Sequence, residues 1–90
     1  KRQVCLGNGG IADIVAVGSD NGAVEVLDSI PPTGPLLVHQ GAIRDLGIYL
    51  LEYLDLEELA ADGVRECLLV VAPLRLTGGA GSPINPLAIA

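Results

Sequence analysis

The feature that most constrains the fold is a continuous apolar run near the carboxyl end, "RECLLVVAPL" at residues 65–74. Between Glu66 and Arg75 the apolar side chains follow one another without alternation, which is typical of a strand covered on both faces of a sheet. The run is far shorter than the roughly 18 apolar residues that a membrane span needs. We therefore predict a soluble protein with an interior strand here, paired with "IYLLEYL" at residues 48–54 or with "LAIA" at residues 87–90.

Two shorter β-branched runs lie near the amino end. Residues 14–18, "IVAVG", and residues 23–27, "AVEVL", flank the dipeptide Asn21-Gly22, which is a strong turn signal. They predict two strands, with a hairpin as one arrangement. Residues 28–36, "DSIPPTGPL", are rich in proline and predict an irregular connection over the surface.

Helices are predicted at two places. A short helix over residues 39–46 would end at Gly47, and "DLEELAADG" predicts a second helix. In that stretch Asp55 is an N-cap, Glu58 stands three residues later as in a capping box, and Gly63 ends the helix. Strand, helix, strand, helix and strand within 90 residues predict a single α/β layer structure.

The composition indicates that something else covers part of the surface. Half of the residues are hydrophobic and only 18% are charged, against about 25% in typical soluble domains. With two tyrosines, no Phe and no Trp there is no aromatic platform for stacking bases, and the net charge of -6 repels phosphate. We expect no nucleic-acid or membrane partner. We expect a homo-oligomer, or a missing N-terminal region, to cover the apolar surface.

Three motif-like features carry little chemistry. Cys5 and Cys67 lack metal-ligand spacing and favour buried, reduced thiols in a cytoplasmic protein. Residues 7–12, Gly-x-Gly-x-x-Ala, mimic a dinucleotide fingerprint, but no helix-forming sequence follows, which favours a flexible loop. Residues 78–83 could form an anion nest, but again no helix follows, which favours a shaped loop. We therefore predict no cofactor-binding motif.

The stretch "VHQGAIRDLGIYLLE" contains the only histidine, His39, and ends on Glu52, an acid in an apolar run. A buried carboxylate is costly without a cation or a donor as partner. One nitrogen and one oxygen ligand suit Zn²⁺ or Mn²⁺, although a catalytic site usually has three protein ligands. If both bound one ion they would lie within about 5 Å of each other. The alternative places His39 in solvent and pairs Glu52 with an arginine: Arg44, Arg65 or Arg75.

Three segments together carry a family resemblance. They are "VAVGSDNGAVEV", "VHQGAIRDLGIYLLEYLDLEELAADGV" and "CLLVVAPLRLTGGAGSPINPLAIA". This pattern resembles the C-terminal part of the cyclase family, the metal-dependent hydrolases that include kynurenine formamidase (arylformamidase) and isatin hydrolase. The resemblance covers about residues 13–90 and implies part of a swivelling β/β/α domain. Residues 1–12 follow it poorly, and we expect them to be a divergent or foreign N-terminal segment.

By that resemblance His39 and Glu52 match the family's late pair of metal ligands, for Zn or Mn. The family signature, His-x-Gly-Thr-His-x-Asp followed by Pro-x-His, supplies the other ligands and the acid/base histidine, and a chain with one histidine does not contain it. The resemblance implies a fragment of an amide or C–N hydrolase that acts on a small molecule. An example is the conversion of N-formylkynurenine to kynurenine and formate in tryptophan catabolism.

We accordingly expect no catalytic residue in this chain, weak or no metal binding, and no turnover by the chain alone. The absence of methionine agrees with a piece of a larger protein. Gly22 stands where many relatives carry Trp, and Tyr53 replaces the usual Asn, and these departures bear on substrate preference. The alternative function is a non-catalytic α/β association module that oligomerises through its aliphatic face.

Overall fold

The structure is a computed structural model and describes residues 3–7, 14–27 and 34–90. The chain divides into two compact units, Lys1–Glu58 and Leu59–Ala90. Its elements are the strands β1 (Gln3–Gly7), β2 (Ile14–Ser19), β3 (Tyr49–Leu51), β4 (Leu68–Val70) and β5 (Leu87–Ile89), the helices α1 (Leu37–His39) and α2 (Glu57–Ala61), and a π-helix (Gln40–Asp45). The strands and helices form a small mixed α/β structure with two sheets, so the predicted α/β class is confirmed. Within the described residues no helix has the length and apolar character needed to cross a membrane.

The first unit contains a three-stranded sheet in the order β1-β2-β3. The central strand β2 is antiparallel to β1 and parallel to β3, with Gly18 opposite Leu51. A parallel pair needs a crossover connection, and α1 with the π-helix lies within it. Because β2 and β3 run in the same direction, the residues that follow each strand leave the sheet at the same edge.

The predicted strand over residues 23–27 is wrong. Residues 20–25 form a series of bends, and β2 pairs with β1 and β3 rather than with a hairpin partner. Val24 has φ 57, a left-handed conformation that is uncommon for a β-branched residue. The side-chain amide of Asn21 donates to the Glu25 carbonyl oxygen at 3.0 Å, which closes this loop. Local hydrogen bonding therefore overrides the strand propensity of the segment.

The predicted helix over residues 39–46 is confirmed, with its start two residues earlier. The Gln40 N–H donates to the Leu36 carbonyl oxygen at 3.0 Å, four residues back, whereas the Leu46 N–H reaches the Gly41 carbonyl oxygen at 3.1 Å, five residues back. The widened bonds make this part a π-helix. Gly47, at φ 67, ends it.

Strand β3 is shorter and more exposed than the predicted buried strand over residues 48–54. Tyr53, at φ 55, turns the chain after it. The predicted second helix is confirmed as α2. The Asp55 carboxylate accepts the Glu57 N–H at 3.3 Å, and Gly63, at φ 66, follows the last turn.

The second unit pairs β4 with β5 in antiparallel register, so the strand predicted over "LAIA" and its pairing with the apolar run are confirmed. The interior position of that run is wrong. Within the described part of the chain β4 is hydrogen-bonded only to β5, and Leu68 is 64% exposed. Cys67 is exposed rather than buried. An unbroken apolar run therefore does not show whether a strand is buried on both faces or exposed.

Few apolar side chains of the described residues are buried. Among the described residues the buried hydrophobic side chains are Ala16, Ala23, Leu54 and Leu56. All four belong to the first unit. Sixteen larger apolar side chains of the described residues are exposed, which agrees with the apolar excess of the composition.

Candidate metal site

The imidazole of His39 lies between two carboxylates. Its Nε2 is 3.0 Å from Oε1 of Glu52, and its Nδ1 is 2.7 Å from Oε2 of Glu25. The predicted approach of His39 and Glu52 within about 5 Å is therefore confirmed. The alternative that paired Glu52 with Arg44 is wrong, because that guanidinium binds the neighbouring Asp45 at 2.7 Å.

Glu52 is placed by the parallel pairing of β2 and β3. It directly follows Leu51, the last residue of β3. Beyond the strands, the Leu54 N–H donates to the Ser19 carbonyl oxygen at 3.0 Å, and the Tyr53 N–H donates to the Asn21 carbonyl oxygen at 3.1 Å. Glu52 is thus held on both sides by bonds to the segment that contains β2, while its side chain keeps 34% of its surface exposed.

Glu25 is placed by the loop that follows β2. The hydroxyl of Ser19, a residue only 1% exposed, donates to the side-chain oxygen of Asn21. The same Asn21 side chain donates from its nitrogen to the Glu25 backbone carbonyl. These bonds place the Glu25 side chain beside the first turn of α1, where 4% of its surface is exposed.

The Glu25 carboxylate also caps the start of the helix. The N-cap residue Leu36 has no side-chain group for this purpose. Instead, Glu25 Oε1 accepts the Val38 N–H at 2.8 Å, and Oε2 accepts the His39 N–H at 3.3 Å. Helix N–H groups in the first turn lack partners within the helix, and a negative charge there is favourable.

The environment keeps Glu25 ionised. Desolvation by burial raises the pKa of Glu25, but the hydrogen bond from the Val38 N–H and those from the His39 ring and N–H lower it, together with the charge of His39. The net effect is a pKa below the ordinary value of 4.5. An ionised carboxylate only accepts hydrogen bonds, so the ring nitrogen Nδ1 must carry the proton of the bond between them.

A ring with its proton on Nδ1 presents a lone pair at Nε2, and the facing oxygen of Glu52 is also an acceptor. Two acceptors 3.0 Å apart need a proton or a metal ion between them. Two ligands at about 2.1 Å from one ion, at angles between about 90° and 109°, lie about 3.0–3.4 Å apart. The spacing of His39 and Glu52 therefore fits part of a metal centre.

The donor set is incomplete within the described ranges. They contain no group of three or more His, Cys, Asp or Glu side chains that could hold a metal ion. Glu25 does not join Glu52 at Nε2, because it is hydrogen-bonded to the other ring nitrogen, Nδ1. His39 and Glu52 thus supply two ligands, fewer than the three protein ligands of an ordinary catalytic site.

Glu25 is the site residue that the sequence analysis missed. Its signal was present, because Glu25 is an acid between Val24 and Val26 in an apolar run, as Glu52 is among leucines. The same argument from the cost of burial that selected Glu52 would have selected Glu25. Glu25 was not selected because a β-strand was predicted over residues 23–27. Alternate residues of a strand are commonly exposed, and an exposed carboxylate needs no partner.

The structure adds no support for a binding site at the two glycine-containing motifs, residues 7–12 and residues 78–83. Most of residues 7–12 lie outside the described residues. In the loop over residues 78–83, the Gly79 N–H donates to the Leu76 carbonyl oxygen at 3.1 Å. The Ser82 hydroxyl accepts the Leu74 N–H at 2.8 Å and donates to the neighbouring carbonyl oxygen. These groups shape the loop, as expected.

Comparison with known proteins gives no relative. No protein-family model matches the chain, and neither the curated proteins nor the solved structures contain a significant match. The candidate site therefore depends on its own geometry and on the sequence resemblance.

Proposed function

We propose that this chain is the C-terminal portion of a cyclase-family metal-dependent hydrolase and that His39 and Glu52 contribute two ligands to its Zn or Mn ion. The observation that carries the proposal is the 3.0 Å approach of Nε2 of His39 to Oε1 of Glu52. When Nδ1–H of a neutral ring donates to Glu25, Nε2 has a lone pair and the Glu52 oxygen is also an acceptor, which is the arrangement of two ligands around a cation.

The proposed reaction is hydrolysis of an amide or related C–N bond in a small molecule, as in an arylformamidase. When bound, the metal would lower the pKa of a water molecule and polarise the substrate carbonyl. His39 and Glu52 would hold the ion. The remaining ligands and the general acid/base would come from the family's upstream histidine motifs, so the chain alone is expected to be inactive. The proposed fold is correspondingly a part of the swivelling β/β/α domain, and the proposed location is the cytoplasm.

The ligand assignment can be tested by titrating Zn²⁺ into the chain while observing the ring nitrogens of His39 by NMR. Because there is only one histidine, each ring signal is assigned without ambiguity. We expect weak binding that shifts Nε2, and its loss in His39→Ala and in Glu52→Gln. Glu66→Gln removes the same charge at an exposed position and should bind as the wild type does. Zn²⁺ binding that survives both ligand substitutions, or no shift at Nε2, would contradict the assignment.

The hydrolase itself can be tested through the coding sequence upstream of Lys1. An in-frame His-x-Gly-Thr-His motif is expected there, and joining that segment to this chain should give metal-dependent hydrolysis of N-formylkynurenine or a related amide. A start codon directly before Lys1 would contradict the proposal and favour the association module.

The association module is supported by one separate observation in the second unit. In the register of β4 and β5, Leu68 lies opposite Ile89 and Val70 lies opposite Leu87. These four side chains share one face of the sheet, and each is 45–64% exposed. A second copy of the chain would cover such a face, and the test is the oligomeric state.

A further inference from the structure

Glu25 holds the His39 ring through an acceptor that is itself fixed to the backbone. Oε1 accepts the Val38 N–H at 2.8 Å, and Oε2 accepts both the His39 N–H at 3.3 Å and the ring Nδ1–H at 2.7 Å. The carboxylate is therefore tied to the main chain of the same residue whose ring it binds. A surface ion pair lacks this restraint, and at 4% exposure the Glu25 side chain has little freedom to leave.

This restraint selects one state of the neutral ring. A neutral imidazole carries a proton on one ring nitrogen and a lone pair on the other. A hydrogen-bond acceptor facing one nitrogen holds the proton there and leaves the lone pair on the other nitrogen. With Glu25 accepting at Nδ1, the lone pair is at Nε2, and that atom faces Glu52. Metal-bound histidines in general donate their other ring N–H to a carboxylate or a carbonyl, which fixes the ring orientation.

We propose that Glu25 is a positioning residue for His39, which keeps the proton on Nδ1 and directs Nε2 towards Glu52 as a ligand atom. The role of Nε2 as a ligand atom rests on the proposed metal site. The ring state itself is a property of the metal-free chain, so it can be measured without any metal.

The experiment is a long-range ¹H–¹⁵N correlation spectrum of the metal-free, ¹⁵N-labelled protein. It is recorded on the neutral ring. In the wild type we expect a protonated Nδ1 and an unprotonated Nε2. In Glu25→Ala we expect the proton to move to Nε2, which free histidine in water favours. Glu66→Ala removes an exposed acid and should leave the Nδ1–H form, as should Glu52→Gln.

A wild-type ring protonated on Nε2 would overturn the proposal without reference to any variant, so a folding defect in Glu25→Ala does not protect it. A folded Glu25→Ala protein that keeps the Nδ1–H form would also overturn it. Loss of Glu25 should further weaken any Zn²⁺ binding by about 10- to 100-fold. If the wild-type ring is in the Nδ1–H form but Zn²⁺ leaves it unshifted, the Glu25 orientation is supported and the metal assignment alone fails.

Discussion

The phenol ring of Tyr53 lies against Gly22, in the space that a β-carbon at position 22 would occupy. The side chain at position 53 and the backbone at position 22 are therefore in direct contact.

We predict that positions 22 and 53 are energetically coupled. Gly22→Ala should destabilise the protein by about 0.5–1 kcal/mol, because the ring must move, and at 80% exposure it can swing into solvent. In a Tyr53→Asn background the same substitution should cost nothing. The coupling energy from urea unfolding of the four proteins is expected to reach at least about 0.5 kcal/mol. Strictly additive effects would show that the contact has no energetic consequence.

Two glycines at the crossover helix should respond to alanine in opposite ways. Gly47 has φ 67, where an L-residue is strained, so Gly47→Ala should destabilise the protein by about 1–2 kcal/mol. Gly41 lies inside the π-helix, and a β-carbon there would meet no atom within 4 Å. Gly41→Ala should therefore stabilise the protein by about 0.5–1 kcal/mol. Thermal unfolding monitored by circular dichroism measures both, and equal effects would refute the assigned helix end.

Acid should remove the stabilising contribution of Glu25. Its pKa is lowered in the folded protein, so the folded state binds a proton at this carboxyl less readily than the unfolded state does. The contribution is complete above the ordinary value of 4.5 and is lost as the pH falls through the folded pKa. Urea unfolding across this range should show the advantage of wild type over Glu25→Gln shrinking as the pH falls. A difference that is constant with pH would mean that ionised Glu25 makes no such contribution.

The apolar face of the β4–β5 sheet should drive self-association. We expect light scattering at micromolar concentration to show dimers or larger species and a hydrophobic dye to bind. Leu87→Asp, on that face, should shift the protein towards monomer. Leu74→Asp is the matched control, because Leu74 lies outside the sheet with 59% exposure, against 57% for Leu87. A monomeric wild type without dye binding would exclude this face as an interface.

Sequence reasoning succeeded where local chemistry decides the structure. Asp55, Gly47 and Gly63 marked helix ends through capping and through glycine's tolerance of positive φ, and the structure has these features. The cost of burying a carboxylate predicted a partner for Glu52, and the family resemblance selected His39 over an arginine.

Sequence reasoning failed where distant partners decide the structure. The segment around Glu25 has strand propensity, but the Asn21 amide and the helix N–H groups hold it as a loop. Residues 65–74 have the pattern of a covered strand, yet whether a cover exists depends on chain segments or copies that the pattern does not describe. Propensity is a weak guide around Glu25 because these tertiary contacts outweigh it.

The three site residues come from three successive parts of the first unit, with Glu25 and His39 separated by 14 positions and His39 and Glu52 by 13. An unfolded chain would have to close both loops to bring them together, at a cost in conformational entropy. Any ion that bridges His39 and Glu52 therefore binds the folded unit in preference to the unfolded chain. Its binding free energy adds to the folding free energy of that unit, so occupancy and folding are thermodynamically linked.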